Sequence, residues 1–374
     1  MSNRSWATIN LESLRHNLAV AQQSCPSSEL LPVVKANGYG HGLERVARAI
    51  WNSNIRVRGL AVASIEEATC LRNLNSDQPI VLLPGFINQE ELEECSRLKI
   101  EPVVHSLFQI ALLEAREQPC QFHFLWLKIS TGMNRLGFHE EYSERAFRAL
   151  SKLRSLENTE LILMSHLAWG DMAGDDARNF TSNQLQRFAA VIDMLGHKGK
   201  CSLAASTGIL EHPDTHFNIV RPGVMLYGSS PFDYISSEEL GLRPVMTLRS
   251  RLIAINDLKV GDAVGYGATY ICEKDMRVGV VSIGYGDGYP RSASTGTPVI
   301  LEGRNQLYRT ALIGRVSMDM ITIDLTEIES AAVEDSVILW GDSLPAEEVA
   351  AHAGTIAYEL FCQVTKRVNF VVSE

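Results

Sequence analysis

A lysine stands in the run VVKANGYGHG, residues 33–42, at the end of an apolar stretch and just ahead of alternating glycines. Such glycines let a backbone come close to a bound molecule, because no Cβ intervenes. A lysine beside that loop is poorly placed for solvent, and burial lowers the pKa of an amine toward its neutral, nucleophilic form. The chemistry open to Lys35 is therefore Schiff-base formation with a carbonyl compound. Without context, a lysine at a strand end is more often an ordinary surface residue. Other polar residues close apolar runs in the same manner: His105, Lys128, His166, Ser206 and Arg221.

These residues must be positioned by repeated elements, and from residue 30 onward short β-rich runs alternate with segments of helical period. Eight strands are expected, at 31–36, 59–64, 79–85, 101–106, 122–130, 160–168, 201–206 and 217–228. Helices are expected between them at 43–50, 66–74, 90–98, 143–153 and 182–195. The pattern predicts a (β/α)8 barrel, though strand counting alone also permits an open doubly wound sheet. Placement of the reactive side chains at strand C-termini favours the barrel, whose active site lies at that end. After Gly241 short β-branched runs separated by Gly, Asp and Pro turns predict a second, mainly β domain. The expected division is 1–240 for the barrel and 241–374 for the β domain.

Bulk composition narrows the function. With 45% hydrophobic and 21% charged residues the chain can bury a proper core. A net charge of −10 and no basic stripe argue against a nucleic-acid partner. No run approaches the roughly 20 apolar residues of a membrane span, and the first residues lack the apolar core of a signal peptide, so a cytoplasmic location is expected. The seven cysteines show no CxxC spacing, which predicts free thiols and no metal site. GYGDGY at 284–289 does not have dinucleotide-loop spacing.

VVKANGYGHG resembles the pyridoxal 5′-phosphate (PLP) lysine motif of alanine racemases. The resemblance continues in order through KISTGMNRLG, SHLA, AAS, RPGVMLYG, VGYGATY, IGYGDGYPR, GRVSMDM and AYEL, spread over nearly the whole chain. It implies an N-terminal barrel, a C-terminal β domain, and a homodimer whose active sites lie between one barrel and the partner's β domain. It also implies interconversion of L- and D-alanine, serving D-alanine supply for peptidoglycan or its catabolism.

Residue by residue, the resemblance implies that Lys35 binds PLP covalently and that Tyr39, Ser206, Tyr358 and the backbone of Gly223 and Val224 hold its phosphate. Arg221 would face the pyridine nitrogen, keeping it unprotonated and the ring a weaker electron sink. Racemisation needs a base on each face of the substrate Cα. Lys35 would serve one face and Tyr266, from a second subunit, the other, with His166 favouring the phenolate and contacting Arg221. Arg135 would bind cofactor and the substrate carboxylate, helped by the backbone of Met318, which precedes Asp319. Lys128 is often carbamylated in the family. The motif here has Ser130 where Asp is common, which leaves the positioning of Arg135 open. Tyr285 and Tyr358 would narrow the substrate entrance, though both could equally be dimer-packing residues. The rival readings are a noncatalytic PLP-binding regulator, an amino-acid decarboxylase and a racemase of other substrates such as serine. The β domain and the VGYGATY and SMDM motifs count against the first two.

Overall fold

In a computed structural model of the protein, which describes residues 4–75 and 77–373, the short apolar runs become a ring of parallel strands. Leu60–Val62, Ile80–Leu82, Glu101–Val104, Phe124–Lys128, Glu160–Met164 and Cys201–Ser202 pair in chain order. The strands Glu29–Leu30 and Ile219–Val220 pair with one another. Bridges Leu30 to Val57, Val33 to Ala61 and Ala205 to Arg221 close the ring on both sides. The early strands are buried at every position, as expected where helices cover the outside and side chains fill the inside. The architecture is the expected barrel followed by a β domain, and the open sheet is excluded by the closure.

Each predicted helix is present, as Leu43–Trp51, Ile65–Leu74, Gln89–Arg97, Glu140–Leu150 and Asp175–Leu195. Several start where a strand has just ended, because a capping side chain turns the chain back over the barrel. Ser64 accepts from the Glu67 amide (3.3 Å), Asn88 from Glu91 (2.8 Å) and Ser106 from Gln109 (3.4 Å). The helices Leu11–Ser24 and Leu107–Glu114 were not anticipated.

Two features differ from expectation. The first barrel strand was expected at 31–36, but regular pairing ends at Leu30 and Pro32 interrupts the ladder by lacking an N–H. Lys35 instead opens a helical turn, Lys35–Tyr39, with left-handed φ at Ala36 (53°), Asn37 (55°), Gly38 (63°) and Tyr39 (50°). The second concerns the strand Ser5–Asn10, expected with the barrel from its place in the chain. It lies inside the eight-stranded sheet of the second domain, antiparallel to Met246–Leu258 and parallel to Asn369–Ser373, so both chain ends tie into one sheet. The alternating burial of Ser5–Asn10 fits a strand with one face on a core. No helix of the described residues is long and apolar enough to cross a membrane.

The N-terminal end of the barrel is closed by a buried polar cluster. Arg58 meets Glu101 through both guanidinium nitrogens, Nη1 at 2.9 Å and Nη2 at 3.2 Å, and Glu101 accepts from the Trp126 indole at 2.9 Å. Arg58 also lies over the Phe124 and Trp126 rings. Glu101 and Trp126 lie on the paired strands Glu101–Val104 and Phe124–Lys128, and Arg58 reaches them from just ahead of Leu60–Val62, two strands away in the ring. Burial holds the Glu101 carboxyl above its usual range, with Arg58 pulling the other way. Removing Glu101 leaves the buried Arg58 side chain, among the described residues, with only the more distant Glu29 carboxylate, at 3.8 Å. Glu101→Ala is therefore expected to cost about 3 kcal/mol, read as a lower midpoint in urea unfolding.

Candidate active site

At the opposite end of the barrel the strand C-termini surround a cavity of about 620 Å³. It is lined by Lys35, Tyr39, Lys128, Arg135, His166, Ser206, Arg221, Gly223, Val224 and Tyr358, all singled out in the sequence. Among its described lining residues four are cations and one, Asp171, is a carboxylate. Burial lowers the pKa of Lys35, and nearby Arg135 lowers it further. Lys128 is brought down to about 8 by burial and by Arg221, Arg135 and Lys35 around it. Such a pocket disfavours more positive charge and suits an anionic occupant.

Arg221 is almost wholly buried, and its fork is spent on neutral acceptors. Nη2 donates to the Ser165 carbonyl (2.7 Å) and the Leu203 carbonyl (3.0 Å), and Nη1 donates to Ser202 Oγ. It also reaches His166 Nδ1 at 3.3 Å. No carboxylate is among these partners. Burial lowers the guanidinium to about 10, still well above neutrality, so Arg221 remains charged. His166 is held far below its usual range by burial and then by Arg221, Lys128, Arg135 and Lys35, so its ring is neutral and accepts from the arginine.

Beside Arg221 lies a cluster of small and hydroxylic groups. Ser206 Oγ accepts from the Gly223 amide at 2.9 Å and the Met225 amide at 3.4 Å, where the short helix Val224–Tyr227 begins. A Cβ on Gly223 would stand 3.0 Å from the Tyr39 hydroxyl and 3.7 Å from Ser206 Oγ. The glycine thus keeps open the space those hydroxyls face, a cradle suited to a phosphate. Tyr39 stacks on Tyr227 and tilts against Tyr358, and burial raises both Tyr39 and Tyr358 far above their usual range. They are neutral donors.

Ser130, the departure from the common motif, supports the loop that carries Arg135. Its Oγ accepts from the Asn134 amide at 3.2 Å and donates to Asn134 Oδ1, while Phe138 and Lys128 pair through their backbones. A hydroxyl can serve there because the demand is for one short acceptor. Gln184 secures the same region from the helix Asp175–Leu195. Its amide donates to Thr131 Oγ1 (3.3 Å) and the His166 carbonyl (3.1 Å) and accepts from the Ala168 amide (2.8 Å).

Several candidates stand apart from the cavity of their own chain. Tyr266 is 71% exposed, on a loop where Gly265 and Gly267 take positive φ. Met318 and Tyr285 are exposed too, on adjoining loops joined by Tyr285 N–H to Ser317 O (3.1 Å) and Gly286 N–H to Met318 O (2.9 Å). Arg367 braces both loops through Asp319 at 2.6 Å and the buried Asp287 at 3.2 Å. The glycines of GYGDGY serve this packing, since a Cβ on Gly284 would fall 2.3 Å from the Ser317 carbonyl. His105 does not line the cavity; its Nε2 lies 3.0 Å from the Pro84 carbonyl. Asp171 and Cys362, which do line it, were missed. Cys362 follows Tyr358 by four positions in the helix Ala357–Gln363, a spacing that puts both on one face and could have revealed it.

Comparison with known proteins agrees with this geometry. The profile "Alanine racemase, N-terminal domain" matches residues 9–231 and "Alanine racemase, C-terminal domain" residues 245–372. A curated alanine racemase of Coxiella burnetii is 44% identical over 378 aligned positions, covering 100% of both chains. The crystal structure of a biosynthetic alanine racemase from Pseudomonas aeruginosa superimposes with a TM-score of 0.91 at 40% identity, again covering 100% of each. An alanine racemase from Bartonella henselae, described with covalently bound pyridoxal phosphate, gives 0.85 at 28% identity over 99% of both chains. Barrel and β domain both match one group of proteins, and the chain belongs to the alanine racemase family.

Proposed function

We propose that this chain interconverts L- and D-alanine using PLP anchored on Lys35. The observation that carries the reading is the cavity itself: four cations with one carboxylate, beside a hydroxyl-lined cradle that a Cβ at Gly223 would fill. That set fits a phosphate ester and an amino-acid carboxylate. Tyr39, Ser206, Tyr358 and the amides of Gly223 and Val224 would hold the phosphate. PLP, when bound, draws electron density away from the substrate Cα and so makes its proton easier to remove.

Arg221, its charge intact and its position locked by backbone carbonyls, would face the cofactor ring. A permanent cation there keeps a proton off the ring nitrogen, which limits side reactions that need a stronger electron sink. Arg135 would clamp the substrate carboxylate, with the Met318 backbone of a second copy helping. Lys128 carrying a carbamate would become an anion able to orient Arg135, and its lowered pKa favours the neutral amine that such a modification requires.

Lys35 would also serve as base on one face of Cα. Burial, and then the nearby Arg135, lower its pKa, which favours the neutral amine that a base requires. The opposite face requires a second base. Tyr266, exposed and remote from its own cavity, is assigned to the site of a second copy, with Tyr285 beside it at the substrate entrance. The reading is thus of a homodimer in which residues 241–374 of each chain complete the barrel site of the other.

Two lysines with lowered pKa share the cavity, so the anchor is testable directly. Borohydride reduction of the PLP-loaded protein followed by peptide mapping is expected to place the pyridoxyl group on Lys35. Label on Lys128 would overturn the assignment. The shared site is testable by subunit mixing. Lys35→Ala and Tyr266→Phe chains should each lose activity by orders of magnitude. Random exchange of equal amounts should restore about a quarter of normal activity per site, because half the dimers are mixed and each has one intact site. No recovery despite demonstrated exchange would place both bases in one chain.

A further inference from the structure

His41 lies in the same motif as Lys35, six residues further on. Its ring is wholly buried beneath the cavity. Nδ1 lies 2.8 Å from the Tyr39 carbonyl and 3.1 Å from the Gly38 carbonyl. Carbonyls only accept, so Nδ1 carries the proton and donates to both. The other nitrogen, Nε2, has no partner among the described residues, and the ring stays neutral because burial, with Arg45 nearby, lowers its pKa to about 4.

Those two carbonyls belong to the left-handed turn that presents Lys35. Left-handed backbone costs a non-glycine residue roughly 1–2 kcal/mol, and Ala36, Asn37 and Tyr39 all adopt it. Such strain persists only where surrounding contacts hold it. The front of the turn is held by Asn37, whose amide donates to Glu67 Oε1 (3.0 Å) and whose Oδ1 accepts from the Leu43 amide (2.9 Å). Its rear is held by the His41 ring. That ring lies 4.7 Å from the Tyr227 ring, which stacks on Tyr39 and whose hydroxyl bonds the Val33 carbonyl just before Lys35. Its edge meets Phe361, from the β-domain helix that also bears Tyr358. Gly40 lets that helix come close, since a Cβ there would overlap the Phe361 carbonyl.

We propose that His41 is a positioning residue for cofactor capture: its Nδ1–H clamps the rear of the Lys35–Tyr39 turn and seats that turn against the helix carrying Tyr358. Lys35 then meets the cofactor aldehyde, and Tyr39 and Tyr358 meet the phosphate, without the turn having to order first. This rests on Lys35 as the anchor, which borohydride mapping of the unaltered protein decides separately.

The test compares His41→Phe, which keeps a ring and removes the donor, with His41→Asn, whose amide can donate at nearly the same place. Cofactor-free proteins are first checked by thermal melting. Two quantities are then read: the Kd for PLP by quenching of intrinsic fluorescence, and the pH midpoint of Lys35 acylation by peptide mass spectrometry. His41→Phe should weaken PLP binding by about tenfold or more, the scale of one lost buried hydrogen bond. Its Lys35 midpoint should rise as water enters, while His41→Asn stays within about threefold of the unaltered protein. Unaltered affinity and midpoint in folded His41→Phe would overturn the proposal. So would an equal loss in His41→Asn, since packing rather than the N–H would then be responsible. Should His41→Phe not fold, His41→Leu takes its place under the same criteria.

Discussion

Burial of four cations, Lys35, Lys128, Arg135 and Arg221, around one cavity is the constraint on which this structure turns. Cations gathered at the end of a barrel raise one another's energy, and low local polarity amplifies the effect. The chain answers without neutralising them by carboxylates. Arg221 is held by neutral carbonyls, His166 remains an uncharged acceptor, and the lysines shift toward their neutral forms. What remains is an electrostatic demand for an anion, which a phosphate ester and an amino-acid carboxylate satisfy together.

The barrel separates that demand from its own stability. At the N-terminal end Arg58, Glu101 and Trp126 form a buried cluster in which charge is matched and hydrogen bonds are made. At the C-terminal end charge is left unmatched and the backbone is strained at Ala36, Asn37 and Tyr39. Stability at one face and reactivity at the other is the division expected of this architecture. Supporting side chains such as Gln184, Ser130 and His41 act by fixing backbone carbonyls and amides, so the reactive groups inherit the rigidity of the elements behind them.

The β domain is joined to the barrel at both ends of the chain. Ser5–Asn10 enters the second sheet before the barrel begins, and the helix Ala357–Gln363 returns to the barrel to place Tyr358 in the cavity. Its loops at 265–268, 284–288 and 317–320 present Tyr266, Tyr285 and Met318 outward, the latter two loops braced by Arg367 between Asp287 and Asp319. None of the three lines the cavity at the mouth of its own barrel.

The sequence by itself determined the local alternation of strand and helix, and the place of Lys35, Ser206 and Arg221 where barrel strands give way to the connections that follow. Those features follow from periodicity and short-range hydrogen bonding, which neighbours in the chain suffice to specify. The tertiary structure decided the rest. Placement of Ser5–Asn10 depends on pairing Trp6 with Arg249 and Asn369, partners far apart in sequence. Neutrality of His166 and the shift at Lys128 arise only when ring closure buries both groups and brings their cationic neighbours around one cavity. The left-handed turn at Lys35 could not be read locally either, because its residues disfavour it and only the contacts of Glu67, Leu43 and His41 make it the lower-energy form.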